Sequence, residues 1–264
     1  MKLYQIDSFT QKIFKGNPAG VCIMDKILSD EQMQDLALEM NLSETAFVTL
    51  DKNSCDLRWF TPAREVPLCG HATLATAFVL FEEGFWSKDK QITFNTLSGE
   101  LIVRMNQGGS LSMDFPATTP VQSTDASLLE LEKAFGGTID EVLSVPGELI
   151  LIFKDLETLL NTNPDTGYVA TLAKNGVIVS AWSNSGDYDF ASRYFAPNLG
   201  IKEDPVTGFM HTILTPYWSG KKNLKNFKAF QASERSGNML TESRGDRVLL
   251  TGSAVKVFET EFSF

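Results

Sequence analysis

The chain is predicted to fold as an α+β protein of two pseudo-symmetric halves, each a curled, mostly antiparallel sheet around a central apolar helix. Three observations predict this. Short segments of alternating polarity fill the first half of the 264 residues. Two helical segments are apolar on almost every face, and such a helix flanked by strands has to be enclosed. Finally, Arg58-Trp59-Phe60-Thr61-Pro62 and Arg193-Tyr194-Phe195-Ala196-Pro197 share Arg, Phe and Pro at an offset of 135, close to half the chain.

The alternation marks strands at residues 3–9, 20–24, 45–50, 56–60, 91–95, 99–105 and 110–115. Between them, Ser29 and Gln32 form a capping box for a helix to Met40, with Met33, Leu36, Ala37 and Met40 on one stripe. The first enclosed helix runs from His71 to about Glu83, and Gly84 is its stop. Leu74, Ala75, Ala77, Phe78, Val79, Leu80 and Phe81 leave it almost no polar face.

The second half repeats this order. Helices are expected near residues 125–135 and 166–175, and strands at 148–153, 176–182 and 187–195. The other enclosed helix spans about 207–218 with Phe209, Met210, Ile213 and Leu214, and Pro216 is expected to end or kink it. The same offset lays Thr45-Ala46-Phe47 on Ser180-Ala181-Trp182, which argues for two copies of one unit. The Pro-bearing stretch Phe115-Pro116-Ala117-Thr118-Thr119-Pro120 is the expected linker. Halves of 1–115 and 116–264 follow, with the last strand able to pack back on the N-terminal half. A cleft between two such copies is the expected place for a ligand.

Composition narrows the partners. With 43% apolar and 21% charged residues the chain can bury a core and is not a disordered type. A formal charge of -10 makes nucleic acid and anionic membranes poor partners, whereas a small anionic metabolite can still bind where backbone dipoles converge. Cys22, Cys55 and Cys69 form no close pair, which suits a reducing cytoplasm. The opening residues lack the apolar core of a secretion signal, and the longest apolar run, near 74–81, is far short of a membrane span.

The chemistry-bearing candidates sit at the enclosed helices. Under the 135 offset Cys69 pairs with Asp204, so each helix entrance carries one ionisable side chain ahead of unpaired backbone N–H groups. Such entrances suit a carboxylate or an enolate-like intermediate. Gly70, Pro205 and Gly208 read equally well as turn residues, and Asp204 and Thr207 as caps. Glu44 falls on Val179 under the offset; a carboxylate opposite an aliphatic residue is expected to be enclosed, and desolvation would then raise its pKa and fit it for proton transfer. A strand-edge charge is the other reading.

With only His71 and His211, no multi-histidine metal site can be built, and none is expected. His71, in the first turn of its helix, reads either as a neutral hydrogen-bond donor or as a buried structural histidine. Cys69 reads as a nucleophile, a racemase base or an inert buried thiol. No GxSxG, GxGxxG after a strand, or GxxxxGK[ST] occurs, so serine hydrolases, dinucleotide enzymes and P-loop NTPases are disfavoured.

Five segments together resemble the phenazine-biosynthesis PhzF-like family: Gly16-Asn17-Pro18-Ala19-Gly20-Val21, Leu42-Ser43-Glu44-Thr45-Ala46-Phe47, Arg58-Trp59-Phe60-Thr61-Pro62, Val66-Pro67-Leu68-Cys69-Gly70-His71-Ala72-Thr73 and Glu203-Asp204-Pro205-Val206-Thr207-Gly208. The resemblance covers essentially the whole chain. It implies the diaminopimelate-epimerase-like fold, a homodimer, no cofactor, and proton transfer by a glutamate at the position of Glu44, which in the family prototype isomerises a dihydro-hydroxyanthranilate ring. It implies that His71 and Asp204 assist, with Gly70, Ala72, Gly208, Thr207, Asn17 and Cys69 around the substrate.

The chain departs from the prototype at Phe209, where that family has a serine, so a hydroxyl contact is lost and the pocket narrows. Asp204 stands where thiol epimerases have their second thiol, which argues against two-cysteine racemisation. The expected activity is a cofactor-independent isomerase acting on a small carboxylate. The alternatives are an epimerase using Cys69 with Asp204 or Glu44, and a metabolite-binding protein without turnover.

Overall fold

A computed structural model describes residues 1–50, 55–124 and 127–263. The chain divides into two compact units, Met1–Asp114 with Leu250–Phe264, and Phe115–Leu249.

The first unit opens with β1 (Lys2–Ser8), β2 (Asn17–Met24), α1 (Asp30–Met40), β3 (Glu44–Leu50), β4 (Cys55–Phe60) and the two-residue β5 (Glu65–Val66). It continues with α2 (Gly70–Glu82), β6 (Ile92–Thr96), β7 (Gly99–Met105) and β8 (Leu111–Pro116). β1 pairs antiparallel with β2, β2 runs parallel to β3, β3 antiparallel to β4, and β4 parallel to β6. The two parallel pairs are those bridged by a helix, as a crossover connection requires.

α1 forms as its capping box dictates: Ser29 accepts from the Gln32 N–H, the Gln32 side chain returns to the Ser29 N–H, and Asn41 closes the helix in the left-handed region. Its Met33 and Ala37 join Leu3, Cys22, Leu28, Phe47 and Phe60 in a core on one face of these strands. α2 packs against β1, β2, β3 and β7, so the sheet curls around it. With helices on both faces, β2 is buried along nearly its whole length.

The second unit contains β9 (Val121–Gln122), α3 (Leu128–Phe135), β10 (Ile139–Val145), β11 (Glu148–Phe153), α4 (Leu156–Asn161), α5 (Thr166–Leu172), β12 (Gly176–Trp182) and β13 (Phe190–Phe195). It goes on with α6 (Gly208–Lys222), β14 (Asn226–Gln231), β15 (Gly237–Ser243) and the first half of β16 (Arg247–Gly252), whose residues from Leu250 belong to the first unit. The pairing repeats the first unit: β10 antiparallel to β11, β11 parallel to β12, β12 antiparallel to β13, β13 parallel to β14. β17 (Ala254–Glu261) closes the chain by pairing antiparallel with β1. Gly252 just before it allows close packing on α2, since a Cβ there would lie 2.5 Å from Phe9 Cδ1 and 3.1 Å from Leu74 Cδ1.

The architecture is the predicted α+β type, with several corrections. The helix expected to start at residue 125 is described only from Leu128, residues 125–126 lying outside the described part. α5 stops at Leu172 because Ala173 turns extended. Pro216 does not end α6, which runs six residues further. The carbonyl that proline leaves without its helical partner, that of Thr212, accepts the Thr118 N–H at 3.1 Å instead.

The ungapped 135 offset holds only for β4 and β13. Thr45 faces Phe60 while Val177 faces Phe195, so Thr45-Ala46-Phe47 correspond to Val177-Ile178-Val179 at an offset of 132, and Glu44 corresponds to Gly176. The caps of α2 and α6 are Cys69 and Thr207, an offset of 138, so Asp204 is not the counterpart of Cys69. Insertions of three residues fall in the loops on either side of β13. Among the described residues no helix is long and apolar enough to cross a membrane.

Candidate functional site

In the first unit, β2, β3 and the start of α2 bring together six of the residues singled out in the sequence. Glu44 is the first residue of β3, set opposite Ala19 by the parallel ladder with β2. Cys69 caps α2 without a side-chain cap bond to the helix N–H groups, followed by Gly70, His71 and Ala72 in the first turn. That turn therefore keeps backbone donors and the positive end of the helix dipole. Ser8 Oγ donates to the His71 carbonyl at 2.8 Å and anchors the turn to β1. Asn17, fully buried at the start of β2, accepts from Ser43 Oγ at 3.4 Å.

The titratable groups form a line. Cys69 Sγ lies 3.4 Å from His71 Nδ1, and His71 Nε2 lies 3.3 Å from Glu44 Oε2. The Glu44 side chain is 20% exposed, but Oε2 is sealed from solvent, as is Nε2. The two atoms are within reach of each other without the alignment of a formed hydrogen bond. Burial pushes the His71 pKa down to about 4, against a hydrogen bond to the Pro18 carbonyl that raises it. At neutral pH the pair is thus a neutral imidazole beside a carboxyl group, not an ion pair.

The surroundings select a tautomer. Nε2 faces a carboxylate, which only accepts when ionised, so a ring proton on Nε2, shared with the Pro18 carbonyl as acceptor, would leave Nδ1 to accept from the Cys69 thiol. The trio has donor types that zinc takes, and one ligand atom of each lies within 4.8 Å of the others. The thiol meets Nδ1 and the carboxylate meets Nε2, however, so a single ion would have to give up one of those contacts.

In the second unit, Asp204, Thr207 and Gly208 stand together at the start of α6. Thr207 caps the helix, but its hydroxyl turns back to donate to Asp204 Oδ2. The Asp204 N–H donates to the Tyr194 carbonyl at 2.9 Å. Beside it, Glu203 accepts from Arg193 through both oxygens, at 2.7 and 3.0 Å. Phe209, the second residue of α6, is 46% exposed, whereas His71 at the same place in α2 is buried.

His211 Nδ1 donates to the Thr207 carbonyl at 2.8 Å, and burial holds its pKa at about 4. Two partners of this loop escaped the sequence reading: Gln231, whose amide bonds to it, and the Arg193–Glu203 pair as a clamp. The only available signal was a glutamine ending the otherwise apolar-alternating strand 226–231.

A pH dependence of stability follows. Both histidines titrate lower in the folded protein than their ordinary value of 6.5, so the unfolded chain binds more protons between pH 6.5 and 4, and stability falls as pH drops through that window. The expected loss is about 2 kcal/mol for each by pH 5. Urea unfolding at pH 7 and pH 5 checks it, with His71→Gln/His211→Gln flattening the difference; equal wild-type stability at the two values would contradict the neutral, buried state.

Comparison with known proteins follows the same lines. A family model described as "Phenazine biosynthesis-like protein" matches residues 6–260. An uncharacterized isomerase of Pseudomonas aeruginosa is 44% identical, covering 96% of this chain and 95% of the relative. Another from Halalkalibacterium halodurans is 40% identical over 98% and 97%. A crystal structure of a PhzF-family protein from Enterococcus faecalis superposes with a TM-score of 0.93 at 40% identity, covering 100% of this chain and 99% of that one. A hydroxyproline epimerase from Agrobacterium vitis, at 13% identity and a TM-score of 0.63 over 98% and 91%, shares the fold alone.

Proposed function

The chain belongs to the phenazine biosynthesis-like protein family and is an isomerase, and from that premise we propose that Glu44 is the acid/base that moves a proton between carbons of a small carboxylate. One observation carries the reading: Oε2 of Glu44 is sealed from water 3.3 Å from a neutral His71, at the entrance of α2. A carboxyl group with one shielded oxygen can take a proton from an acidic carbon and return one elsewhere, and because the side chain keeps 20% exposure that proton exchanges with solvent between the two steps, which carries solvent hydrogen into the product. His71, its proton on Nε2, steadies the ionised form and yields when the carboxyl is protonated. The first-turn N–H groups at Gly70 and Ala72 bind the substrate carboxylate, beside Asn17. We propose separately that Asp204 and Thr207, with Gly208, orient polar groups of the substrate at the start of α6. Phe209 favours an apolar or cyclic body over a hydroxylated one.

The proposal is tested by incubating the protein in deuterium oxide with a panel of cyclic dienoic acids, small unsaturated acids and amino carboxylates such as trans-4-hydroxy-L-proline. The expected result is carbon-bound deuterium, read by mass spectrometry, in a cyclic or unsaturated member. The contact between Cys69 and His71 favours a second reading, a thiol epimerase. Cys69→Ala separates the two. It should retain label transfer within about threefold if the thiol only sets the histidine tautomer, and abolish it, at a stereocentre, if the thiol is the base.

A further inference from the structure

Gln231 ends β14, one helix and one loop beyond the start of α6, and is 1% exposed. Its amide is spent on one target. Oε1 accepts the Thr207 N–H at 2.7 Å, and Nε2 donates to the Asp204 carbonyl at 2.8 Å and to Thr207 Oγ1 at 3.1 Å. The partners fix the amide orientation, because the reverse would set two donors against each other at Thr207 and two acceptors at Asp204. Since Thr207 Oγ1 accepts from Nε2, its own proton is directed to Asp204 Oδ2. The chain of donors thus runs from Gln231 through Thr207 to the carboxylate.

We propose that Gln231 is a positioning residue that locks the Asp204–Thr207 loop and so aims the Asp204 carboxylate and the first turn of α6. The role rests on the reading of Asp204 given above. The other unit shows that the fold does not require the clip. β13 pairs with β14 as β4 pairs with β6, which places Thr96 where Gln231 stands, and the Thr96 hydroxyl is spent within its own hairpin, on the Gly99 carbonyl at 2.6 Å. A buried amide is retained in one copy only, beside the ionisable loop, where an apolar side chain would satisfy packing alone.

Two variants test this. Gln231→Met keeps length and volume without hydrogen bonds. Gln231→Glu restores the clip only when its carboxyl is protonated, accepting with one oxygen and donating with the other. In Gln231→Met the Thr207 amide should exchange with deuterium at least about tenfold faster, with the Cys69–Thr73 segment unchanged. Its kcat on the carboxylate that the wild type labels should fall about 10- to 100-fold, more than KM changes. For Gln231→Glu the deficit relative to wild type should be larger at pH 8 than at pH 6. A folded Gln231→Met protein with wild-type Thr207 protection overturns the proposal, and so does a loosened loop with wild-type kcat. Should the wild type label nothing in the panel, the proton-transfer reading fails, and amide exchange alone decides whether the clip holds the loop.

Discussion

Glu44→Gln is expected to reduce deuterium transfer to substrate by about 10³-fold or more while leaving the fold and ligand affinity nearly unchanged. The amide matches the carboxyl in shape and can still meet His71 Nε2, but it cannot carry the proton. Glu44→Asp should act differently. It keeps the acid and withdraws it by one methylene from the α2 entrance, so about a 100-fold loss is expected from misplacement alone. The pair of variants separates chemistry from geometry, with single-turnover label transfer as the measurement. A Glu44→Gln protein within tenfold of wild type would remove the glutamate from the mechanism.

Arg193→Met should produce the largest loss of stability, about 3–5 kcal/mol, or roughly 10 °C in Tm. The two side chains of the Arg193–Glu203 pair are only 11% and 14% exposed. Arg193 also donates to the Leu159 and Thr162 carbonyls at the end of α4 and lies 4.8 Å over the Phe195 ring. Removing it strands the Glu203 carboxylate and two carbonyls away from water. The first unit supplies an internal control. Arg58 makes the same bidentate bond with Glu65 and sits 5.1 Å over Phe60, yet is 33% exposed. Arg58→Met should therefore cost less, about 1–2 kcal/mol. Urea unfolding of both variants checks the ranking, and Arg193→Met combined with Glu203→Gln should recover part of the loss. Equal costs would mean that burial does not distinguish the two clasps.

How much of this could be read in advance depended on how local the signal was. β7, β11 and β12 lie at the residues that alternation or continuous apolarity marked, because both patterns act within one strand. α1 was legible from Ser29 and Gln32, whose bonds span three residues. α4, β10 and the strands after α6 were not, since short segments of mixed polarity take their state from their neighbours in the sheet. Pro216 misled because the donor that relieves it, Thr118, lies far away in sequence. The duplication was legible from the arginine clasps, but an ungapped offset cannot see loop insertions, and it assigned wrong counterparts to Glu44 and Cys69.

At the site, Glu44, Cys69 and His71 were singled out from the sequence, but their alignment on two faces of one imidazole depends on β3 and α2 meeting across the first unit. Gln231 was invisible for a comparable reason. Its three bonds span 24 to 27 residues and follow no periodicity.

The central claim is that the Glu44 carboxyl touches the carbon whose proton moves. A crystal structure of the Glu44→Gln protein bound to the carboxylate that wild type labels is the most direct test. The labelled carbon should lie within about 3.5 Å of the side-chain amide at position 44, with the substrate carboxylate on the first-turn N–H groups of α2. A labelled carbon held next to Cys69 Sγ instead, beyond reach of position 44, would contradict the account.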